Sequence, residues 1–172
     1  MTSVEVPQLS PEAKEEWEGG FDGQDLEFLR DQVRASTFLL SKGVLGFKDV
    51  SAEVHGGFCL HFEGNRMRRR LGLMPRAHLK STIGTVADSL RLGIAEPNHT
   101  RVLIAGETST LSEKFLAQIK GHVEKNELLR GLFPELIPPR FQGQGITWSS
   151  TQASLVRSAV LDSPTWQAIG VG

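Results

Sequence analysis

The sequence predicts an α/β fold in which a parallel sheet carries helices on its faces. Three observations lead there. Residues 71–74 and 102–105 are short apolar runs with the length of buried strands, and an amphipathic helical pattern follows each. The order strand, loop, helix, strand, helix brings successive strands together in parallel through crossover helices. Right-handed crossovers then place both strand-to-helix loops at one edge of the sheet. A chain of 172 residues is the size of one compact domain.

The elements follow in order. Residues 1–23 hold Pro7, Pro11, a Glu/Lys cluster and the pair Gly19 and Gly20. They read as a flexible acidic arm ahead of a domain over residues 24–172. Between Gln24 and Ser41, apolar Leu26, Leu29, Val33, Phe38 and Leu40 recur at helical spacing among charges, and Gly43 and Gly46 end the helix. Residues 50–62 are open between helix and strand, with Gly56 and Gly57 as a break. After the first strand and a loop at residues 75–79, Ile83, Val86, Ala87, Leu90 and Ile94 share one helical face, closed by Pro97. The second strand ends at Gly106. Thr110 and Glu113 have capping-box spacing, which starts a helix running to about Glu127. A helical turn over residues 128–133 stops at Pro134. Residues 146–149 and 154–157 read as short strands, and a last apolar stretch covers residues 166–171.

Composition narrows the function classes. The sequence holds no long uninterrupted apolar run, so no membrane span is expected. The first residues are acidic rather than basic and then apolar, unlike a secretory signal. One cysteine, Cys59, excludes an internal disulfide and fits a reducing compartment. Charge is unevenly spread. Residues 1–30 hold eight acids against two bases, whereas residues 66–80 hold six bases (Arg66, Arg68, Arg69, Arg70, Arg76, Lys80) and no acid. Such a run is either a solvated edge or a surface for phosphates, those of a nucleotide or of a nucleic-acid backbone.

The chemistry concentrates in the loop Pro75, Arg76, Ala77, His78, Leu79 and the Lys80, Ser81, Thr82 that follow. A Lys-Ser pair opening a helix behind a buried strand is what a phosphate-binding loop needs, because backbone N–H groups of loop and helix converge on the β- and γ-phosphates. Lys80 would supply a mobile positive charge at those oxygens, and the Ser81 hydroxyl would ligate Mg²⁺. Arg76 and His78 could add donors near the γ-phosphate. In the G-x-x-x-x-G-K-[ST] register, Met74 and Leu79 occupy the two glycine positions. A left-handed Leu79 would cost about 1–2 kcal/mol, so the loop is expected to follow another path or to bind nucleotide weakly.

These residues support a resemblance. Pro75-Arg76-x-x-x-Lys80-Ser81-Thr82 after an apolar strand looks like the deviant Walker A loop of phage terminase large subunits, the ATP-driven motors that package DNA into procapsids. Residues 101–108 are similar to that family's second core strand, and residues 162–165 with 168–172 resemble the segment just before its Walker B strand. The likeness runs from about residue 40 to the last residue. It implies a P-loop NTPase domain of RecA-like type, a mostly parallel sheet with helices on both faces, that stops short of the Walker B acids and of a nuclease domain. It further implies ATP and Mg²⁺ as cofactors, Arg76 as the arginine at the γ-phosphate, Lys80 as the Walker A lysine, Ser81 as the Mg²⁺ ligand and Thr82 as support for the loop. Adenine would lie near residues 47–55. The implied partners are double-stranded DNA, the portal protein and a small terminase subunit, in a homo-oligomeric ring in the host cytoplasm. An amino-terminal piece of this kind is expected to hydrolyse nucleotide hardly at all, since no carboxylate is in place to hold Mg²⁺ and orient water.

Other signals stay open between roles. Asp162 ends an apolar run but stands before Ser163-Pro164, which reads as a turn. His55, Cys59 and His61 lie close together without a second ligand pair for zinc. Glu107, Thr108 and Ser109 either contact DNA or cap the next helix. Trp148 and Trp166 fit core packing better than base stacking. Two other functions are compatible with the same residues. One is a helicase-like nucleic-acid-dependent ATPase. The other is a non-enzymatic module that binds nucleic acid through residues 66–70.

Overall fold

A computed structural model describes residues 23–63, 69–137, 141 and 146–172. The acidic arm falls almost wholly outside the described residues, as do Arg66 and Arg68 of the basic run. The fold is mixed α/β, with helices outweighing a small sheet.

Helix α1, Gly23–Ala35, buries Val33 and turns Arg30 and Arg34 toward Glu27, Asp31 and Glu135. Ser36 breaks the expected long helix, its hydroxyl capping Leu39 N at 3.2 Å. Helix α2, Thr37–Leu39, runs on as a π-helical stretch, Leu40–Val44, and ends before Gly46, whose φ of 71° reverses the chain. Helix α3, Ala52–Glu63, passes straight through Gly56 and Gly57. His55 and Cys59, one turn apart, are its buried residues, and that packing outweighs the helix penalty of the two glycines.

Helix α4 covers residues 80–95. Lys80 and Ser81 open it, a π-helical stretch Thr82–Ala87 follows, and Asp88–Ala95 is α-helical. After strand β1, Val102–Gly106, come α5, Ser109–Lys125, and α6, Glu127–Leu132. Thr108 caps α5 by accepting from Leu111 N at 3.3 Å. The cap is therefore two residues earlier than the expected Thr110, because Thr108 is the last residue with extended backbone (φ −123°, ψ 152°).

The sheet has three strands in the order β1-β3-β2. Strand β3, Trp166–Gly170, runs parallel to β1 with Val102 opposite Trp166 and Gly106 opposite Gly170. Strand β2, Gln152–Ala153, pairs antiparallel to β3, and Trp148 bridges to Ala153. The sheet is thus mixed rather than mostly parallel. Ile104, Trp166 and Ala168 point into the core with Leu90, Ile94, Leu116, Ile119 and Val123. Leu103, 58% exposed, and exposed Ala105 lie on the opposite face. Among the described residues the helices therefore cover one face of the sheet, not both. Gly93 admits the Trp166 ring, whose nearest atom would sit 2.6 Å from a Cβ, and Trp166 Nε1 donates to Ser89 O at 3.0 Å.

Residues 71–74 form no strand. Leu71 and Leu73 are 76% and 81% exposed, and the segment lies over α3, where a Cβ on Gly72 would meet the Phe58 ring at 2.7 Å. An apolar run becomes a strand only where a free sheet edge offers hydrogen bonds, and this one pairs with neither outer strand. Residues 154–157 are likewise not a strand. No described helix is long and apolar enough to cross a membrane.

Candidate phosphate-binding site

The loop at residues 75–79 turns by means of two left-handed residues, Ala77 at φ 65° and Leu79 at φ 52°. Of the two expected alternatives, another path or weak nucleotide binding, the first does not hold: Leu79 takes the left-handed conformation, and the physical reason lies in its side chain. Leu79 packs against a small cluster of buried Val50, Cys59 and Ile83, with Phe58 beside it. A left-handed backbone costs leucine about 1–2 kcal/mol. Full burial of a leucine stabilises by about 1.5–3 kcal/mol, so its half-burial offsets most of that cost. The cluster is firmly apolar. Burial, followed by the nearby Glu63 and Asp88 carboxylates, pushes the Cys59 thiol up to about 12.

Leu79 also sets the start of α4, since Ile83 N donates to Leu79 O at 2.8 Å as the first helical bond. The N–H groups of Lys80, Ser81 and Thr82 precede that bond and so have no partner within the helix, at its positive end. Lys80 curls back so that Nζ donates to Met74 O at 3.3 Å, across the mouth of the loop. His78 folds the same way, its Nδ1 2.9 Å from Arg76 O. Pro75, Arg76 and Ala77 are exposed, and Thr82 is half-buried. Neither Arg76 nor Lys80 forms an ion pair with an acid among the described residues.

Lys80 and Ser81 line a concavity of about 280 Å³ together with Gly84, Thr85, Gly72, Phe58 and Phe62. Phe58 and Phe62, one turn apart on α3, meet edge to face with ring centroids 4.9 Å apart. Arg70 donates to Phe62 O at the rim. Of the residues lining the concavity, Lys80 and Ser81 supply donors that suit a phosphate, an ammonium and a hydroxyl, and the ammonium rests on a neutral carbonyl that an anion would outcompete. For Mg²⁺, Ser81 offers one hydroxyl oxygen, and the described residues lining the concavity include none of the carboxylates that commonly hold this ion.

The remaining candidates have other places. Asp162 is exposed in a bend, and Arg157 Nη2 binds the carbonyls on either side of it, Leu161 O at 3.2 Å and Ser163 O at 2.6 Å. His61 is exposed while His55 and Cys59 are buried, and among the described residues no three His, Cys, Asp or Glu side chains gather to hold a metal. Thr108 is a helix cap, Trp166 is core, and Trp148 is stacked on Phe141 at 4.0 Å with Lys120 5.3 Å from its ring. The Phe58–Phe62 wall and a buried pair, Asp88 with Arg91 at 2.8 Å, are features the sequence reading did not single out. Both carry a signal: aromatics at i and i+4, and opposite charges at i and i+3 inside an apolar helical face.

Compared with protein-family models, with curated proteins and with solved structures, the chain matches none.

Proposed function

We propose that residues 75–82 bind the phosphates of ATP and that the chain is the ATP-binding part of a terminase-type DNA-packaging motor. The observation that carries this is the pairing of a left-handed turn at Leu79 with Lys80 and Ser81 at the first turn of α4. A left-handed residue directly before the Lys-Ser pair is what the glycine of a standard phosphate loop provides. Lys80 and the amides of residues 80–82 would hold the β- and γ-phosphates, Arg76 would reach the γ-phosphate, and Ser81 would ligate Mg²⁺. Bound there, ATP supplies the phosphoanhydride whose cleavage drives a motor. The RecA-like architecture, double-stranded DNA, the portal protein, the small terminase subunit and a homo-oligomeric ring in a host cytoplasm belong to the same proposal. They rest on the ordered sequence resemblance of residues 75–82, 101–108 and 162–172 and not on the sheet, which among the described residues places no strand before the loop.

Calorimetric titration of the whole chain with a non-hydrolysable ATP analogue and Mg²⁺ tests the proposal. Binding that Lys80→Ala weakens at least about tenfold, the loss of roughly one charge-assisted contact, supports it. No heat with wild type rejects it. Duplex DNA affinity that falls steeply with salt and ignores Lys80→Ala would instead identify a basic nucleic-acid-binding module.

A further inference from the structure

We infer that Leu79 is a positioning residue: its side chain, packed against the buried cluster of Val50, Cys59 and Ile83, pins the phosphate loop in the left-handed turn that glycine would make freely elsewhere. The inference rests on the phosphate-binding reading for its consequence, but its mechanical half stands on geometry alone. A bulky residue keeps a positive φ only where its surroundings over-determine it. Leu79 has such surroundings, while Ala77, at φ 65°, is exposed and has none. The same residue supplies the carbonyl that receives Ile83 N, and Ile83 is itself a member of the cluster. Side chain and carbonyl of Leu79 therefore hold the loop to α4 from two sides. Between them they fix where the helix starts and so where the amides of residues 80–82 point.

A glycine loop and a pinned leucine loop differ in what they tolerate. If the turn alone mattered, Leu79→Gly would preserve or improve phosphate binding, because glycine takes this backbone without strain. With a pin, Leu79→Gly and Leu79→Ala both lose the anchor, and Leu79→Met, unbranched at Cβ and of similar volume, restores it.

The experiment compares the wild-type chain with these three variants by two measurements. Calorimetric titration with the non-hydrolysable ATP analogue is expected to show Leu79→Gly and Leu79→Ala binding about tenfold more weakly, with Leu79→Met near wild type. Amide hydrogen exchange is expected to show the Ile83 N–H, protected through Leu79 O, exchanging at least about tenfold faster in the Gly and Ala variants but not in Met. A Leu79→Gly variant that binds as tightly as wild type and keeps Ile83 protected overturns the inference. Should wild type bind no analogue, the ATP reading fails by itself, and the exchange comparison still decides whether the pin exists. Equal Ile83 exchange in all four proteins rejects it.

Discussion

Ala77 and Leu79 share a left-handed backbone but differ in what holds them there. Leu79 is repaid by burial, whereas the Ala77 methyl faces solvent and gains nothing for its φ of 65°. The unrelieved strain is about 1–2 kcal/mol. A glycine there would remove it at a cost of about 0.5–1 kcal/mol in chain entropy. Ala77→Gly is therefore expected to stabilise the protein by up to about 1 kcal/mol, read as a raised midpoint in urea denaturation with an unchanged slope. A clear loss of stability would mean that the turn is held by contacts of the Ala77 methyl. Leu79→Gly should move the opposite way, since it gives up apolar burial together with the strain.

Helix α4 joins the loop to the rest of the molecule, and its second half is fastened by charge. The Asp88 and Arg91 side chains are 8% and 9% exposed and 2.8 Å apart. Thr37 Oγ1 donates to Asp88 Oδ1 at 3.0 Å, and Arg91 reaches both Thr37 Oγ1 at 2.9 Å and Arg34 O at 3.2 Å. The pair thereby locks α4 to the ends of α1 and α2. Arg91→Ala leaves a buried carboxylate with one hydroxyl partner and is expected to cost about 3–5 kcal/mol in denaturant unfolding. The double variant Asp88→Leu/Arg91→Met removes both charges and is expected to cost far less, although it deletes more polar contacts. Equal losses would mean that packing, not the stranded charge, sets the penalty. How much of α4 is legible beforehand follows from the same distinction. Ile83, Val86, Leu90 and Ile94 announce the helix by period, and Lys80-Ser81 announces the site by chemistry. The path of Leu79 is not readable, because local preference argues against a left-handed leucine and the cluster that overrides it brings Val50, and Cys59 of α3, onto Ile83 of α4. Residues 71–74 fail for the mirror reason: their apolarity suggests a strand, but whether an edge is present to pair with is not local information. Helix α3 defies its two glycines because His55 and Cys59 face a core that no window of residues 50–62 reveals.

At the scale of the whole molecule, two apolar clusters meet at one side chain. Phe47 packs against the main core and against the small cluster that seats Leu79, and its ring lies edge-on to His122 of α5 with centroids 5.3 Å apart. Burial lowers the His122 pKa from its usual value, because a charged imidazole at this junction loses water without gaining a partner. The consequence for stability has a definite sign. Below the ordinary histidine value of about 6.5, unfolded chains bind a proton that folded chains refuse, so acid favours unfolding until the lowered native value is reached. Above about 6.5 the imidazole is neutral in both states and contributes no slope. Thermal unfolding across this range is therefore expected to show the midpoint falling as pH drops below about 6.5, and His122→Gln, which cannot titrate, should flatten that part of the curve. Since Phe47 belongs to both clusters, the acid loss should extend to the loop: Ile83 amide protection is expected to decline over the same pH window in wild type and to hold in His122→Gln, after correction for the intrinsic pH dependence of exchange. A loop that keeps its protection while the core weakens would show that the two clusters unfold separately and that Phe47 does not couple them.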